Sequence, residues 1–259
     1  MDKQRYFILE YMEEILSDWS LAEVKQMHKY LSLRPGNVLI ITNVAAMLAA
    51  DDSENTTNMA SLAEFIKSNA DDRILLCISD LEKSFNAQSA EFELLVSHDL
   101  ATKTKGDRVV TIKQDRVCLL DLRGKKVLEP SERADYDAYV FGGILGDHPP
   151  KDRTFALRPL FTHSRNLQEV QMSTDTAILV TELIVNGQMP IDEIPFITNP
   201  EIQNIDDPKS SVVMEGFRYV SDRLDLHTGK SSAKAHEQPL MSEFIKNTLL
   251  FIDFDFNLM

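Results

Sequence analysis

An apolar strand that runs directly into a glycine- and proline-rich loop constrains this chain more than any other feature. Residues 138–141 read Ala-Tyr-Val-Phe, and Gly142, Gly143, Ile144, Leu145, Gly146, Asp147, His148, Pro149 and Pro150 follow. An apolar run without polar alternation belongs to a strand buried on both faces of a sheet. Glycines let backbone amides approach a ligand with no side chain in the way. The prolines then fix φ where the chain leaves. A tight bend needs fewer glycines than this, so the run reads as a binding loop. In open α/β sheets ligands sit beyond the carboxyl ends of the strands, where this loop falls.

Other strand-like runs, rich in β-branched and aromatic residues, occur at 6–9, 38–41, 74–78, 117–120 and 195–198. Between them the pattern turns helical. Leu21, Val24, Met27, His28 and Leu31 share one helical face, with Ser20 as the expected cap. A second helix is expected over 59–68. A third covers about 176–186, capped by Thr174 or Asp175 and stopped at Gly187. Strands alternating with helices predict an α/β fold, a mostly parallel sheet covered by helices on both faces. With 259 residues, 43% of them apolar, the chain can bury the core of such a domain. Residues 51–58, 205–211 and 228–237 read as polar loops, the last a mobile linker. Beyond it, 240–256 combine a short apolar helix with an alternating run that is a terminal strand or docking tail, on its own chain or on a partner. A domain over 1–227 and an extension over 228–259 are therefore expected.

Forty-one acidic against twenty-seven basic residues give a formal net charge of -14. That field repels polyphosphate and argues against a nucleic-acid partner, while it steers a basic protein toward the surface. No apolar run approaches the roughly 20 residues that span a bilayer. The N-terminal segment lacks the apolar stretch of a signal peptide, so a cytosolic protein without membrane anchor is expected. Cys77 and Cys118 both lie in apolar segments, which predicts buried free thiols and no metal site.

Three islands carry a resemblance that composition does not. They are residues 141–154; Gln171-Met172-Ser173-Thr174-Asp175-Thr176-Ala177; and Ile8-Leu9-Glu10-Tyr11-Met12-Glu13-Glu14 with Trp19. Arg116-Val117-Cys118-Leu119-Leu120-Asp121 and Phe217-Arg218-Tyr219-Val220 fit the same pattern. The chain resembles the SPOUT methyltransferases, and within them the branch that methylates an arginine of the third small-subunit ribosomal protein. A Gly-Gly-Ile-Leu-Gly-Asp-His-Pro-Pro run and a Thr-Asp-Thr-Ala run recur in that branch. The likeness covers most of 5–220, departing at the acidic stretch near Asp51 and beyond about Val220. It implies a parallel sheet whose C-terminal part, roughly 136–190, is threaded into a deep trefoil knot. It also implies S-adenosylmethionine as methyl donor, a basic small-subunit ribosomal protein as substrate, and a monomer rather than a dimer. By position, Phe141, Gly142, Gly143 and Gly146 would form one wall of the cofactor site, and Leu167, Met172, Thr174 and Thr176 the other.

The chemistry adds its own demand. An arginine side chain stays protonated, and a cation attacks a cationic sulfonium poorly. Carboxylates must orient the guanidinium and accept its proton as the methyl group moves. Glu10 at the end of the first strand, Glu13 in the turn that follows and Asp147 of the glycine loop are the candidates. Glu14, Trp19 and Asp152 are expected to line the substrate, Trp19 through cation–π attraction. Plainer readings stand beside these: a solvated acidic loop, helix capping by Thr174 to Thr176, a helix start at Asp152, a core Trp19, and a loop-shaping His148 in place of a base. Two other functions compete. An RNA methyltransferase would need a basic groove, and a catalytically silent ribosome-assembly binder would keep the cofactor fold without the chemistry.

Overall fold

The protein is described by a computed structural model over residues 4–69, 73–98, 108–143, 152–234 and 236–252. The main sheet holds β1 (Arg5–Glu10), β2 (Asn37–Thr42), β3 (Ile74–Cys77), β4 (Phe85–Asn86), β5 (Glu91–Ser97), β6 (Arg108–Lys113), β7 (Val117–Leu120), β8 (Ala138–Gly142) and β9 (His163–Arg165). Its order is β4-β5-β3-β2-β1-β8-β7-β9, with β6 paired to β5. The six strands from β3 to β9 along this order are mutually parallel, whereas β4, β5 and β6 join antiparallel. The predicted α/β fold with a mostly parallel sheet is thus observed, extended at one edge by a hairpin.

Successive residues of β1 explain its unbroken apolar run. Phe7 and Leu9 enter one core cluster, and Ile8 enters another across the sheet. The first cluster is roofed by α1 (Asp18–Leu31), α2 (Val44–Ala49), α3 (Ser53–Ser68) and α5 (Thr174–Val185). The second combines Val38, Ile40 and Val140 with Phe92, Leu94, Val110 and Ile112 of the β5–β6 hairpin, Leu81 of the one-turn α4 (Leu81–Ser84), and Leu157. Helices on both faces were expected; the long ones share a single face. A strand pair covers apolar area as well as a helix does, and nothing in the local pattern distinguishes the two.

Other expectations are corrected. Ser17, not Ser20, caps α1, its hydroxyl accepting from the Ser20 amide. Residues 51–58 are not a loop: Asp52 caps α3 through the Asn55 amide at 2.8 Å, and the helix starts at Ser53. The cap of α5 is Ser173. The run at 195–198 leaves the sheet entirely. There β10 (Phe196–Thr198) pairs antiparallel with β13 (Arg218–Val220), beside a second ribbon of β11 (Glu201–Gln203) and β12 (Ser211–Val213). The C-terminal segment packs on its own chain, since Met241, Ile245, Leu249 and Leu250 join Ala22 of α1, Ile202 and Tyr219 in a third cluster. Of the terminal alternating run, 253–256 lie outside the described residues. Cys77 and Cys118 are buried free thiols. Among the described residues no helix is long and apolar enough to cross a membrane, and no cluster of metal-ligating side chains occurs.

Candidate active site

At the carboxyl end of the parallel strands, β8 ends beside β1, Glu10 standing opposite Gly142 in register. The Gly143 amide donates to the Glu10 carbonyl at 3.0 Å. Gly143 adopts φ +77°, a left-handed conformation that a side chain resists. A Cβ on Gly142 would lie 3.1 Å from Thr154 Cγ2 and 3.3 Å from Leu157 Cδ1. Phe141 is buried in the core beneath. The expected roles of Gly146, Asp147 and His148 lie outside the described residues.

The opposite wall is joined to the glycines by a hydrogen bond. Thr174 Oγ1 donates to the Gly143 carbonyl at 2.8 Å, linking the start of α5 to the end of β8. Thr176 is fully buried, its hydroxyl 2.9 Å from Ser173 Oγ, so that side chain serves the cap. Leu167 is buried and Met172 half-buried. The segment between them is held by Arg218, a residue to which the sequence assigned no role. Its guanidinium donates to the Leu167 carbonyl and, at 2.7 Å, to Gln168 Oε1, and it stacks 4.1 Å from the Phe196 ring. Arg218 therefore fixes the backbone of the second wall from behind.

On the acidic side, Glu10 is buried while Glu14 is exposed and Glu13 lies between. One Glu10 oxygen accepts from the Thr42 hydroxyl and from the Leu81 amide at 3.2 Å. Burial pushes the Glu10 carboxyl up to about 7, against the pull of these two donors. Its carboxylate thus faces β2 and α4, whereas Trp19 is turned into α1, its indole N–H donating to Glu23 at 2.8 Å. The turn between them is clamped by α3: Asn55 accepts from the Leu16 amide at 2.8 Å and Asn58 donates to the Leu16 carbonyl at 3.0 Å.

Asp152 does not stand alone. With Asp121, at the end of β7, it grips Arg158: Arg158 Nε meets Asp121 Oδ2 at 2.5 Å and Nη1 meets Asp152 Oδ2 at 2.8 Å. Thr154 completes the group, donating to Asp121 at 2.9 Å, and Arg123 adds a bridge to Asp152 at 2.9 Å. Burial would raise the Asp121 carboxyl, yet Arg158 and its other donors hold it below the usual range. Asp152 already engages two guanidinium groups of its own chain. Thr42, Asp121, Arg158, Arg218 and Glu23 are the site residues that sequence reasoning missed. Asp121 and Arg218 stood inside runs that carry the family resemblance, and Glu23 had a periodic signal, since a carboxylate at the 3–4 spacing of Ser20, Met27 and Tyr30 falls on the buried stripe of α1.

Comparison with known proteins fits this arrangement. The sequence profile of the family described as "Protein arginine N-methyltransferase SFM1-like" matches residues 6–249. The protein arginine N-methyltransferase SFM1 of Saccharomyces cerevisiae is 33% identical over 220 residues, covering 84% of this chain and 86% of that protein. The crystal structure of the yeast arginine methyltransferase SFM1 complexed with SAM superposes with a TM-score of 0.60 at 30% identity, over 90% of this chain and 87% of that one. The same enzyme complexed with SAH gives a TM-score of 0.58 at 29% identity, over 88% and 90%.

Proposed function

The chain belongs to the SFM1-like protein arginine N-methyltransferases, and from that premise we propose that it transfers a methyl group from S-adenosylmethionine to an arginine of a basic small-subunit ribosomal protein. The observation that carries this reading is the Thr174–Gly143 hydrogen bond. It brings two walls together beyond the carboxyl ends of β8 and β1, with a positive-φ glycine between them. A nucleoside held through its backbone contacts fits such a cradle, and Phe141, Gly142, Gly143, Leu167, Met172, Thr174 and Thr176 are the proposed cofactor residues, with Gly146 of the same loop. The SAM and SAH complexes of the yeast relative support the choice of ligand. A trefoil knot over roughly 136–190, inside a domain spanning 1–227, belongs to the same proposal and rests on the family resemblance.

When bound, S-adenosylmethionine supplies an electrophilic methyl group on its sulfonium. The acceptor guanidinium must lose a proton, and Glu10 is the proposed recipient because its carboxyl is held near neutrality, where a general base is effective. Glu13 and Asp147 are the proposed companions, and Glu14 and Trp19 the proposed substrate wall. Asp152 acts in this reading through Arg158, fixing the chain that returns from the glycine loop. The net charge of -14 steers a basic protein into the crevice.

Calorimetry with S-adenosylhomocysteine, followed by radiolabelled transfer from S-adenosylmethionine into extract, tests the reading. We expect micromolar binding, label in a small-subunit ribosomal protein, and none in RNA. Label in the RNA fraction alone would replace this function with RNA methylation.

A further inference from the structure

Backbone strain is stored in the second wall of the crevice. Gln168 adopts φ +69°, a left-handed conformation that glycine takes freely and that costs a residue with a side chain. Glutamine also lacks the short polar side chain with which asparagine eases that conformation locally. An outlier of this kind persists only where its surroundings over-determine it, and such strain gathers at functional sites. The surroundings of Gln168 meet that condition. Its amide donates to Asn166 Oδ1 at 2.9 Å, its Oε1 accepts from Arg218 Nη1 at 2.7 Å, and its Nε2 donates to Asp192 Oδ1 at 2.6 Å.

Arg218, on β13, is the other half of the clamp. It is buried and forms no ion pair among the described residues, and burial lowers its guanidinium pKa from the ordinary value. A buried cation without a counter-charge is costly unless its hydrogen bonds are made. Those bonds all go to one stretch of chain. The fork donates to the Leu167 carbonyl and to Gln168, its plane lies against the Phe196 ring, and the Arg218 amide donates to the Gln171 carbonyl at 2.9 Å. One residue thus grips segment 167–171 at both ends. Asp192 supplies the missing anion at one remove, since the Gln168 side-chain amide turns its oxygen to the cation and its N–H to the carboxylate. Leu167 and Met172, the proposed cofactor contacts of this wall, bound the gripped stretch.

We propose that Gln168 is a positioning residue for S-adenosylmethionine: its left-handed turn, locked between Arg218 and Asp192, holds the wall from Leu167 to Met172 in the shape that receives the cofactor. The proposal rests on the methyltransferase reading and adds to it the device that shapes the cofactor site. Holding a wall in its bound form spares the ligand the cost of ordering it, so the clamp acts on affinity. It touches no reacting atom and leaves the transfer step itself alone.

Gln168→Ala, Gln168→Gly, Arg218→Lys and the double variant Gln168→Ala with Arg218→Lys are compared with the wild-type protein. Calorimetry gives S-adenosylhomocysteine affinity, steady-state assays with undermethylated small-subunit ribosomal proteins give kcat and the KM for S-adenosylmethionine, and melting temperature reports the fold. Alanine keeps the cost of the left-handed angle and removes both side-chain bonds. Affinity should fall about tenfold, the KM for S-adenosylmethionine should rise in step, and kcat should stay within about twofold of wild type. Glycine takes the same angle without strain and should recover most of that loss, to within about threefold of wild type. Lysine at 218 cannot present a fork, so Arg218→Lys should also lose about tenfold, and the double variant clearly less than about a hundredfold, because the two residues act as one unit. Alanine binding as tightly as wild type would overturn the proposal, even with a lowered melting temperature, which then marks a purely structural turn. Glycine losing as much as alanine would overturn it too, since the side chain would then meet the ligand itself. Fully additive losses would separate Arg218 from the turn and reject the clamp. If Arg218→Lys fails to fold, the two Gln168 variants decide. A wild-type protein that fails to bind S-adenosylhomocysteine refutes the methyltransferase reading itself, whereas normal wild-type binding with an unaffected alanine variant removes this inference alone.

Discussion

Gly143 and Glu10 occupy one hydrogen-bonded corner, yet their substitution has opposite consequences for the molecule. At Gly143 the backbone sits at φ +77°, and a side chain there costs about 1–2 kcal/mol for an ordinary residue and more for a β-branched one. Gly143→Val is expected to remove S-adenosylhomocysteine binding in calorimetry while the circular dichroism spectrum stays native. Normal binding by that variant would place the cofactor elsewhere. Glu10 is held neutral or charged by its surroundings. Its folded pKa of about 7 exceeds the ordinary 4.5, so the stability it provides is complete below about 4.5 and is lost as pH rises through about 7. Thr42 and the Leu81 amide oppose that loss, Asp80 adds to it and Lys83 lessens it. The full difference is on the order of 3 kcal/mol. Glu10→Gln should therefore be more stable than wild type at pH 8 and nearly equal to it at pH 4.5 in urea melts, and should lose ~10²-fold in kcat if Glu10 takes the proton. A constant gap between the two proteins across that pH range would show that the carboxyl does not titrate as its burial dictates.

Among the elements, α3 has an effect out of proportion to its distance from the glycine loop. Its first turn carries the polar residues that made 51–58 read as a loop, and those residues are there for a reason. Asp52 caps the helix, and Asn55 and Asn58, both buried, hold both backbone groups of Leu16 in the turn that carries Glu13 and Glu14. Asn55 also donates to the Met47 carbonyl at 2.8 Å, tying α2 to the same point. Asn55→Ala would leave buried donors and acceptors unmatched, at about 1–3 kcal/mol. The expected outcome is a lowered melting temperature and a raised KM for the protein substrate with S-adenosylhomocysteine affinity kept; a substitution silent in all three would show that the clamp does not shape the acidic turn. Arg218 plays the matching part for the second wall, reaching from β13 to the Leu167 carbonyl.

For the molecule as a whole, charge and topology act at long range. A net charge of -14 raises encounter rates with a basic protein and is screened over about 10 Å at 0.1 M salt. Methyl transfer into the proposed ribosomal substrate should slow as salt rises from 50 to 300 mM, whereas S-adenosylhomocysteine affinity should hold nearly steady; equal salt dependence of both would assign the effect to the cofactor. The sequence by itself determined much of this protein. The apolar runs at 6–9, 38–41, 117–120 and 138–141 are strands because two-sided burial selects unbroken β-branched and aromatic residues, a local property of the chain. The glycine run marked where β8 ends and the backbone turns left-handed at Gly143 for a similar reason, since backbone conformation is written residue by residue. Tertiary structure alone decided the rest. Whether a helix or the β5–β6 hairpin covered the second face, that 195–198 paired with β13 instead of the main sheet, and that Glu23, Asp175, Arg158 and Arg218 converge on the strand ends all depend on contacts between residues distant in sequence. Glu23 and Asp175 lie on α1 and α5, both buried and each close enough to feel the other's charge, and no periodicity within either helix encodes the meeting of the two carboxylates; the crossover that brings the N-terminus of α5 onto α1 does.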